Sequence, residues 1–284
     1  MMVPLERHGG FTIYRVMIAR DLHIHTTYCD GNNTPEEMVL AAIDQGLETL
    51  GFSGHSYTSF EESWCMSKEG TLVYKKEIAD LKIKYANKIK ILCGTEQDLY
   101  SDQPVDDYDY FIGSVHYIRI PDKGQPLIDE AIRSGGYIYF NVDDSAKKQL
   151  DGAEAYFNGD IYALAENYFA ALGSWADKKI KPDIIGHFDL ITKFNEQDPI
   201  YDETDPRYRA AWQKAADKLL KLNVPFEINT GAISRGYRTS PYPSFEIQEY
   251  IASKGGKFIM SSDSHSKDTL LYKFDEFERK KLTI

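Results

Sequence analysis

The sequence of 284 residues predicts an α/β fold, a distorted seven-stranded (β/α)7 barrel of the TIM-like type. Two observations predict it. Strand signals alternate with helical periodicity along most of the chain, as expected for parallel strands joined by helical crossovers. Imidazole and carboxylate side chains follow the strand signals one after another, as they do at the carboxyl-terminal rim of such a barrel.

The strand signals fall at residues 18–25, 49–53, 89–94, 110–115, 183–186, 224–228 and 257–261. Helical periodicity lies at residues 72–86, 161–176, 207–222 and 245–254. An earlier helix has the clearest start, because Thr34, Pro35 and Glu37 combine an N-cap, a proline at the first helical position and a capping-box glutamate. This helix should run to Gln45 and end at Gly46.

We predict one domain over residues 17–284, preceded by an N-terminal extension of residues 1–16, because Met17 stands just before the first strand signal. Residues 121–159 are mixed in character and rich in Gly and Asp, which predicts an insertion that covers the barrel mouth. The extension contains His8. This histidine has no acidic or imidazole neighbour at ligand spacing and is expected to be solvated.

Charge and cysteine content limit the classes of partner. The net charge of −11 argues against non-specific binding to nucleic acid or to an anionic membrane. Cys29, Cys65 and Cys93 are odd in number and widely spaced, which fits a reducing compartment better than a disulfide framework. No apolar run approaches the roughly 20 residues that span a bilayer, so we expect a cytoplasmic protein.

Six of the seven histidines fall into short motifs that end the strand signals: DLHIHT (21–26), GHS (54–56), SVH (114–116), GHFD (186–189) and SDSH (262–265). HxH and DxH place two side chains on one face of a strand, and Glu96 follows another strand signal. The candidate metal ligands are His23, His25, Asp30, His55, Glu96, His116, His187, Asp263 and His265. Because one cation usually takes three or four protein ligands, this set predicts two or three cations.

Each candidate also has a structural interpretation. A lone histidine at a strand end is more often hydrogen-bonded than ligating, but a succession of them with acidic partners favours a metal site. Asp30 lies beside Gly31 and is equally typical of a turn. Asp189 would either orient a ligating imidazole or handle a proton, and the sequence leaves both roles open.

In their order, DLHIHT, GHS, GTE, SVH, GHFD and SDSH resemble the signature of the PHP (polymerase and histidinol phosphatase) superfamily, from Asp21 to His265. The segments GFSGHS, ILCGTEQDLY, IGSVHYI, IIGHFDLI and EINTGAISRGYRTSPYPS are most similar to those of the stand-alone histidinol-phosphate phosphatases. The resemblance implies a distorted seven-stranded barrel. It also implies up to three divalent cations, with zinc, manganese or iron as the metals.

Carried over by motif position, the resemblance implies three ligand sets: His23, His25, Glu96 and Asp263; Glu96, His116 and His187; and Asp30, His55 and His265. The phosphate-binding residues depart from the family pattern. The arginine expected after GHFD is absent, so Lys193 is the nearest cation, and the register of NTGAISR allows Arg235 or Arg238. We therefore expect Arg235, Lys193 and Arg238 as substrate-binding residues, and Glu96, Asp189 and Arg235 as catalytic residues.

The implied function is metal-dependent hydrolysis of a phosphate monoester, with L-histidinol phosphate of histidine biosynthesis as the substrate. A hydroxide bridging the metals would attack phosphorus in line, and Arg235 would hold phosphoryl oxygens. Acidic residues of the insertion could bind the ammonium group of this substrate. Three alternatives remain open: a PHP-type phosphoesterase for another small phosphate ester or nucleotide, a metal-binding module without catalysis, and a metal-dependent amidohydrolase.

Overall fold

The computed structural model describes residues 20–61, 63–129 and 131–277, together with the backbone of residues 2–4, 14–16 and 278–280. Its strands are β1 (Met2–Pro4), β2 (Tyr14–Val16), β3 (Arg20–Asp21), β4 (Thr49–Phe52), β5 (Lys90–Asp98), β6 (Tyr110–Ser114), β7 (Tyr117–Pro121), β8 (Ala131–Ser134), β9 (Tyr137–Asn141), β10 (Ile184–Ile185), β11 (Phe226–Asn229) and β12 (Phe258–Ser261). Of the predicted N-terminal extension, only β1 and β2 are described, and they pair antiparallel. His8 and Met17 lie outside the described residues.

Seven strands form one parallel sheet in the order β12-β11-β10-β6-β5-β4-β3. The first and last strands meet beyond their regular ends, where Ile24 bridges Ser264. The amide of His25 donates to the Ser264 carbonyl at 2.8 Å, and the amide of Ser264 donates to the His23 carbonyl at 3.1 Å. These bonds bring the sheet round into a nearly closed barrel, so the predicted seven-stranded TIM-like barrel is confirmed.

The helices are α1 (Pro35–Asp44), α2 (Lys68–Lys84), α3 (Ala146–Phe157), α4 (Ile161–Gly173), α5 (Pro206–Leu219), α6 (Gly231–Ser234), α7 (Phe245–Ser253) and α8 (Phe274–Lys280). The capping box of Thr34 and Glu37 is present, and Gln45 is the C-cap of α1, as predicted. The connection from β5 to β6, residues 99–109, has no helix, so the strict alternation of strand and helix is broken there. None of the described helices combines the length and the apolar character that crossing a membrane requires.

The segment predicted as an insertion has secondary structure of its own. Strands β7, β9 and β8 form a separate antiparallel sheet, which already begins at Tyr117, and α3 packs against it. Gly152 of α3 allows this close packing, since a Cβ atom there would overlap the ring of Phe140 on β9. The end of β9 brings Asn141 and the following acidic residues to the mouth of the barrel.

A small apolar core fills the barrel below this mouth and consists of Leu22, Tyr110, Ile112, Ile184 and Ile259. The Tyr110 hydroxyl donates to the Leu22 carbonyl at 2.6 Å. Glycines in the two neighbouring strands leave room for the ring, because a Cβ atom at Gly51 or Gly94 would overlap it. Close-packed side chains inside the barrel therefore support the rim that carries the histidines.

Candidate metal centre

Glu96 stands at the centre of the rim and is 1% exposed. It belongs to β5, which runs to Asp98 and is longer than predicted, so this carboxylate lies within the strand and not after it. Five imidazoles surround its oxygens: His55 Nδ1 at 3.0 Å, His23 Nε2 at 3.2 Å and His25 Nε2 at 3.6 Å from Oε2, with His187 Nε2 at 2.7 Å and His116 Nε2 at 3.4 Å from Oε1.

Two aspartates complete the group. Asp30 lies 3.1 Å from His265 Nε2, 3.3 Å from His25 Nδ1 and 3.5 Å from His55 Nε2. Asp263 lies 3.2 Å from His25 Nε2 and 3.7 Å from His265 Nδ1. The structure thus brings all nine predicted side chains together, although they come from six different strand ends and are separated by up to 242 positions.

The arrangement fits divalent cations. In three groups the possible ligand atoms lie within 4.8 Å of one another: His25, Asp30, His55 and His265; His23, His25 and Glu96; and His55, Glu96 and His116. His23 Nε2, His25 Nε2 and Glu96 Oε2 are buried and have no hydrogen-bond partner. Because an unsatisfied buried polar atom costs about 1–3 kcal/mol, a cation between these atoms would remove a substantial penalty. Imidazole and carboxylate together suit zinc, manganese and iron.

Charge within the group is strongly coupled. Burial alone would raise the pKa of Glu96, but the neighbouring imidazoles of His23, His55 and His116 hold it well below its usual range. Burial and the adjacent His25 lower the pKa of His265 to about 4, so this imidazole is neutral at neutral pH. Glu96 is therefore ionised and His265 neutral, as a metal ligand requires. Against the effect of burial, the neighbouring carboxylates raise the pKa of His23, His25 and His55, so a cation bound there would replace protons.

Two buried carboxylates behind the histidines were missed by the sequence analysis. Glu227 Oε1 lies 2.7 Å from His23 Nδ1, and Asp98 Oδ2 lies 3.4 Å from His116 Nδ1. Signals for both were present. Asp98 follows Glu96 by two positions and thus shares its face of the strand, and Glu227 is a charged residue within an otherwise apolar strand signal.

Of the predicted phosphate contacts, Arg235 and Lys193 line the cavity and Arg238 does not. Arg235 contacts Asp263, with Nη1 2.9 Å from the carbonyl and Nη2 3.1 Å from Oδ2. Lys193 is paired with Asp143 at 2.8 Å.

Arg238 is buried away from the cavity, because its guanidinium is occupied by Thr192, by Ser240 at 3.1 Å and by Glu196 at 3.7 Å. Asp189 also lies outside the cavity lining, and it accepts a hydrogen bond from the Ser244 amide at 2.9 Å. Burial raises the pKa of Asp189 to about 6, against the opposing charge of Arg238. The geometry therefore brings neither Arg238 nor Asp189 to the cavity, and it favours the Arg235 register.

The cavity over the rim has a volume of about 260 Å³. Trp64 forms part of its wall, with its ring 4.5 Å from that of His55 and 5.3 Å from that of His116. Asn141, Asp143, Asp144 and Tyr237 close other sides. A larger groove of about 650 Å³ between α4 and α5 is lined by no histidine or cysteine, so size alone does not mark the site of chemistry.

Comparison with known proteins agrees with this geometry. The family profile of the PHP domain matches residues 21–231. A Deinococcus radiodurans protein named "Probable histidinol-phosphatase" is 27% identical in an alignment 268 positions long, which covers 89% of this chain and 89% of that protein.

Two solved structures share the fold. A candidate histidinol phosphatase of Listeria monocytogenes has a TM-score of 0.71 and 20% identity, covering 91% of this chain and 99% of that one. The histidinol phosphate phosphatase of Lactococcus lactis, complexed with zinc, L-histidinol and phosphate, has a TM-score of 0.62 and 18% identity, covering 93% of each chain.

Proposed function

The chain belongs to the PHP domain family, and from this premise we propose that it is a metal-dependent phosphatase that hydrolyses L-histidinol phosphate to L-histidinol and phosphate. The observation that carries the proposal is the ring of five imidazoles around the buried Glu96, at the base of a cavity that Arg235 also lines. Support for the substrate comes from the Deinococcus relative and from the Lactococcus protein, which is complexed with the two products of this reaction.

We assign the nine ligands to three sets: His23, His25, Glu96 and Asp263; Glu96, His116 and His187; and Asp30, His55 and His265. The contacts support the first two sets, because Glu96 Oε2 faces His23 whereas Oε1 faces His116 and His187. Asp30 contacts His55 and His265 of the third set, and this set adjoins the other two, since Asp30 also contacts His25 and His55 also contacts Glu96. Divalent cations bound there would neutralise the charge of a phosphate monoester and lower the pKa of a bound water toward neutrality.

Arg235 would hold the phosphoryl group. Its planar fork can bind two oxygens at once, and its side chain is 28% exposed toward the cavity. Nη1 lies 2.8 Å from His265 Nδ1, which in turn lies 3.0 Å from the Asp263 carbonyl. Nδ1 can accept from Arg235 or donate to this carbonyl, but not both.

A cation on His265 Nε2 would decide between these two bonds. The ring proton must then stand on Nδ1 and point to the Asp263 carbonyl. Arg235 Nη1 would lose its contact with His265 and become available to a phosphoryl oxygen. The third ligand set and the phosphate contact are therefore expected to form together.

The organic part of the substrate would occupy the outer cavity. Asp144 lines it, is exposed, and has no ion pair with a described lysine or arginine. Asp143 is already neutralised by Lys193. We therefore place the ammonium group of the substrate nearer to Asp144, with the flat ring of Trp64 on another wall of the same cavity.

The test is phosphate release from L-histidinol phosphate by protein loaded with zinc or manganese. A His23→Ala, His25→Ala double variant should lose the activity, whereas Lys147→Ala, which breaks only an exposed ion pair with Asp151, should retain it. Wild-type turnover no faster than that of the double variant would overturn the proposal. A panel of phosphate esters at equal concentration tests the substrate separately, since faster turnover of another ester would leave the phosphatase but change its specificity.

A further inference from the structure

We propose that Glu227 is a positioning residue of the metal centre, which sets the tautomer of His23 and fixes the main chain of His187. The inference rests on the proposed function, because it concerns how the ligands are aimed. Glu227 lies on β11, the sixth barrel strand, which provides none of the predicted ligands. It is 1% exposed, and among the described residues no lysine or arginine forms an ion pair with it.

Both carboxylate oxygens of Glu227 act as hydrogen-bond acceptors. Oε2 accepts from the His187 amide at 3.0 Å and from Asn229 Nδ2 at 3.1 Å. The orientation of the Asn229 amide follows from its other end, since Oδ1 accepts from the Gly231 amide at 2.9 Å. Oε1 is then left for His23 Nδ1, 2.7 Å away.

This contact determines the tautomer of His23. An ionised carboxylate can only accept, so Nδ1 must carry the ring proton. The lone pair of the neutral ring then lies on Nε2, which is buried without a hydrogen-bond partner. Nε2 points to Glu96 Oε2 at 3.2 Å and Asp263 Oδ1 at 3.7 Å. Glu227 therefore orients the His23 ring so that its Nε2 faces the metal centre.

The position of β11 explains the reach of this carboxylate. The strand lies between β10 and β12, and Glu227 and Asn229 are two residues apart and share its inner face. Asn229 Nδ2 also lies 3.4 Å from Asp263 Oδ2. The sixth strand thus contacts proposed ligands that follow the first, fifth and seventh strands, namely His23, His187 and Asp263. It contributes no ligand itself.

Glu227→Gln is the sharpest variant, because it keeps the shape and removes one acceptor. Its amide nitrogen must face either two donors, from His187 and Asn229, or Nδ1 of His23. In the second arrangement Nδ1 accepts and the proton moves to Nε2, which then cannot bind a cation. We expect the affinity for one zinc ion to fall about 10- to 100-fold in competition with a chromophoric chelator. The value of kcat should fall with little change in KM.

Asp21→Asn is the matched control. Asp21 is another fully buried carboxylate, but none of its contacts is to an imidazole ring. It accepts from the main-chain amides of Ser262 at 3.1 Å, Leu271 at 3.3 Å and His23 at 3.4 Å, and from the side chain of Ser262. Its replacement removes a buried charge without changing a ring tautomer. Zinc affinity in this variant should stay within about threefold of wild type, even if the protein is less stable.

One further test uses the wild-type protein and does not depend on whether a variant folds. Long-range ¹H–¹⁵N correlation spectra of the zinc-loaded protein should place the His23 ring proton on Nδ1, and a proton on Nε2 would overturn the inference. Unaltered zinc affinity in Glu227→Gln, or an equal loss in Asp21→Asn, would also overturn it. Failure of the proposed function looks different, since the wild type would then bind zinc, with weaker binding in Glu227→Gln, but release no phosphate from histidinol phosphate.

Discussion

Gly231, the first residue of α6, has no side chain, yet a single methyl group added there should impair the metal centre. A Cβ atom at this position would lie 2.7 Å from Asp263 Oδ2 and 2.8 Å from Asp263 Cβ. Asp263 has little freedom to retreat. Its backbone has a φ of 49°, and its carboxylate contacts Arg235 at 3.1 Å and His25 at 3.2 Å.

The magnitude for Gly231→Ala follows from this crowding. Relief requires Asp263 or α6 to move by at least about 0.5 Å, and overpacking of this kind lowers the free energy of unfolding by about 1–3 kcal/mol. Displacement of a ligand carboxylate should lower kcat/KM about 10- to 100-fold, because misplacement on the order of 1 Å has effects of that size.

The assay is phosphate release from histidinol phosphate at saturating metal, combined with urea unfolding. Gly70→Ala is the control, since a Cβ atom there would meet only the Ser67 hydroxyl, at 3.1 Å. It should leave kcat/KM within about twofold of wild type. The reasoning is refuted if Gly231→Ala also keeps wild-type kcat/KM and stability, or if Gly70→Ala is equally impaired.

Three further outcomes are expected. Arg235→Ala should lower kcat/KM about 10²- to 10³-fold, and Arg235→Lys should restore little of it. Arg238→Lys should change kcat/KM less than about threefold. Steady-state kinetics with the opposite ranking would contradict the assignment of Arg235 to the phosphate. Asp189→Asn tests the raised pKa of about 6, because the buried carboxylate destabilises the native state once the pH exceeds the unfolded pKa near 3.8. The free energy of unfolding of the variant should therefore rise relative to that of wild type by about 2–3 kcal/mol as the pH increases from 4 to 7. A pH-independent difference in urea unfolding would contradict this expectation. Chelation with EDTA should lower the thermal midpoint reversibly, because cations that bind only the folded chain contribute about 4 kcal/mol at a thousandfold excess over Kd, and calorimetry with no shift would argue against tightly bound metal.

Local sequence patterns were sufficient for the barrel and for the gathering of the candidate ligands. The capping box at Thr34 follows from rules that act within a few residues, and the structure confirms it. Each of the seven strand signals overlaps a strand of the barrel, but the first described strand is only Arg20–Asp21, shorter than the predicted 18–25. Parallel strands in a barrel end at a common rim, so side chains such as His55 and Glu96 could be expected to meet.

The strand bounds and the phosphate contact were harder to predict. The third strand is predicted to end at residue 94, whereas β5 continues through Glu96 to Asp98, because periodicity does not show how far pairing with a neighbouring strand continues. Arg235 and Arg238 are three residues apart, and only the packing of α6 and the following loop sends one to the cavity and the other into contacts with Thr192 and Glu196.

By itself, the sequence determined which chemistry is available: the alternation of strands and helices, and a succession of imidazoles and carboxylates at the strand ends. Tertiary structure alone decided how these groups face one another. Glu227 is 204 positions from His23, and only closure of the barrel brings its oxygen to Nδ1. Hydrogen bonds of this kind require that segments distant in the sequence be placed to within a few tenths of an ångström. No local pattern of residues encodes that placement.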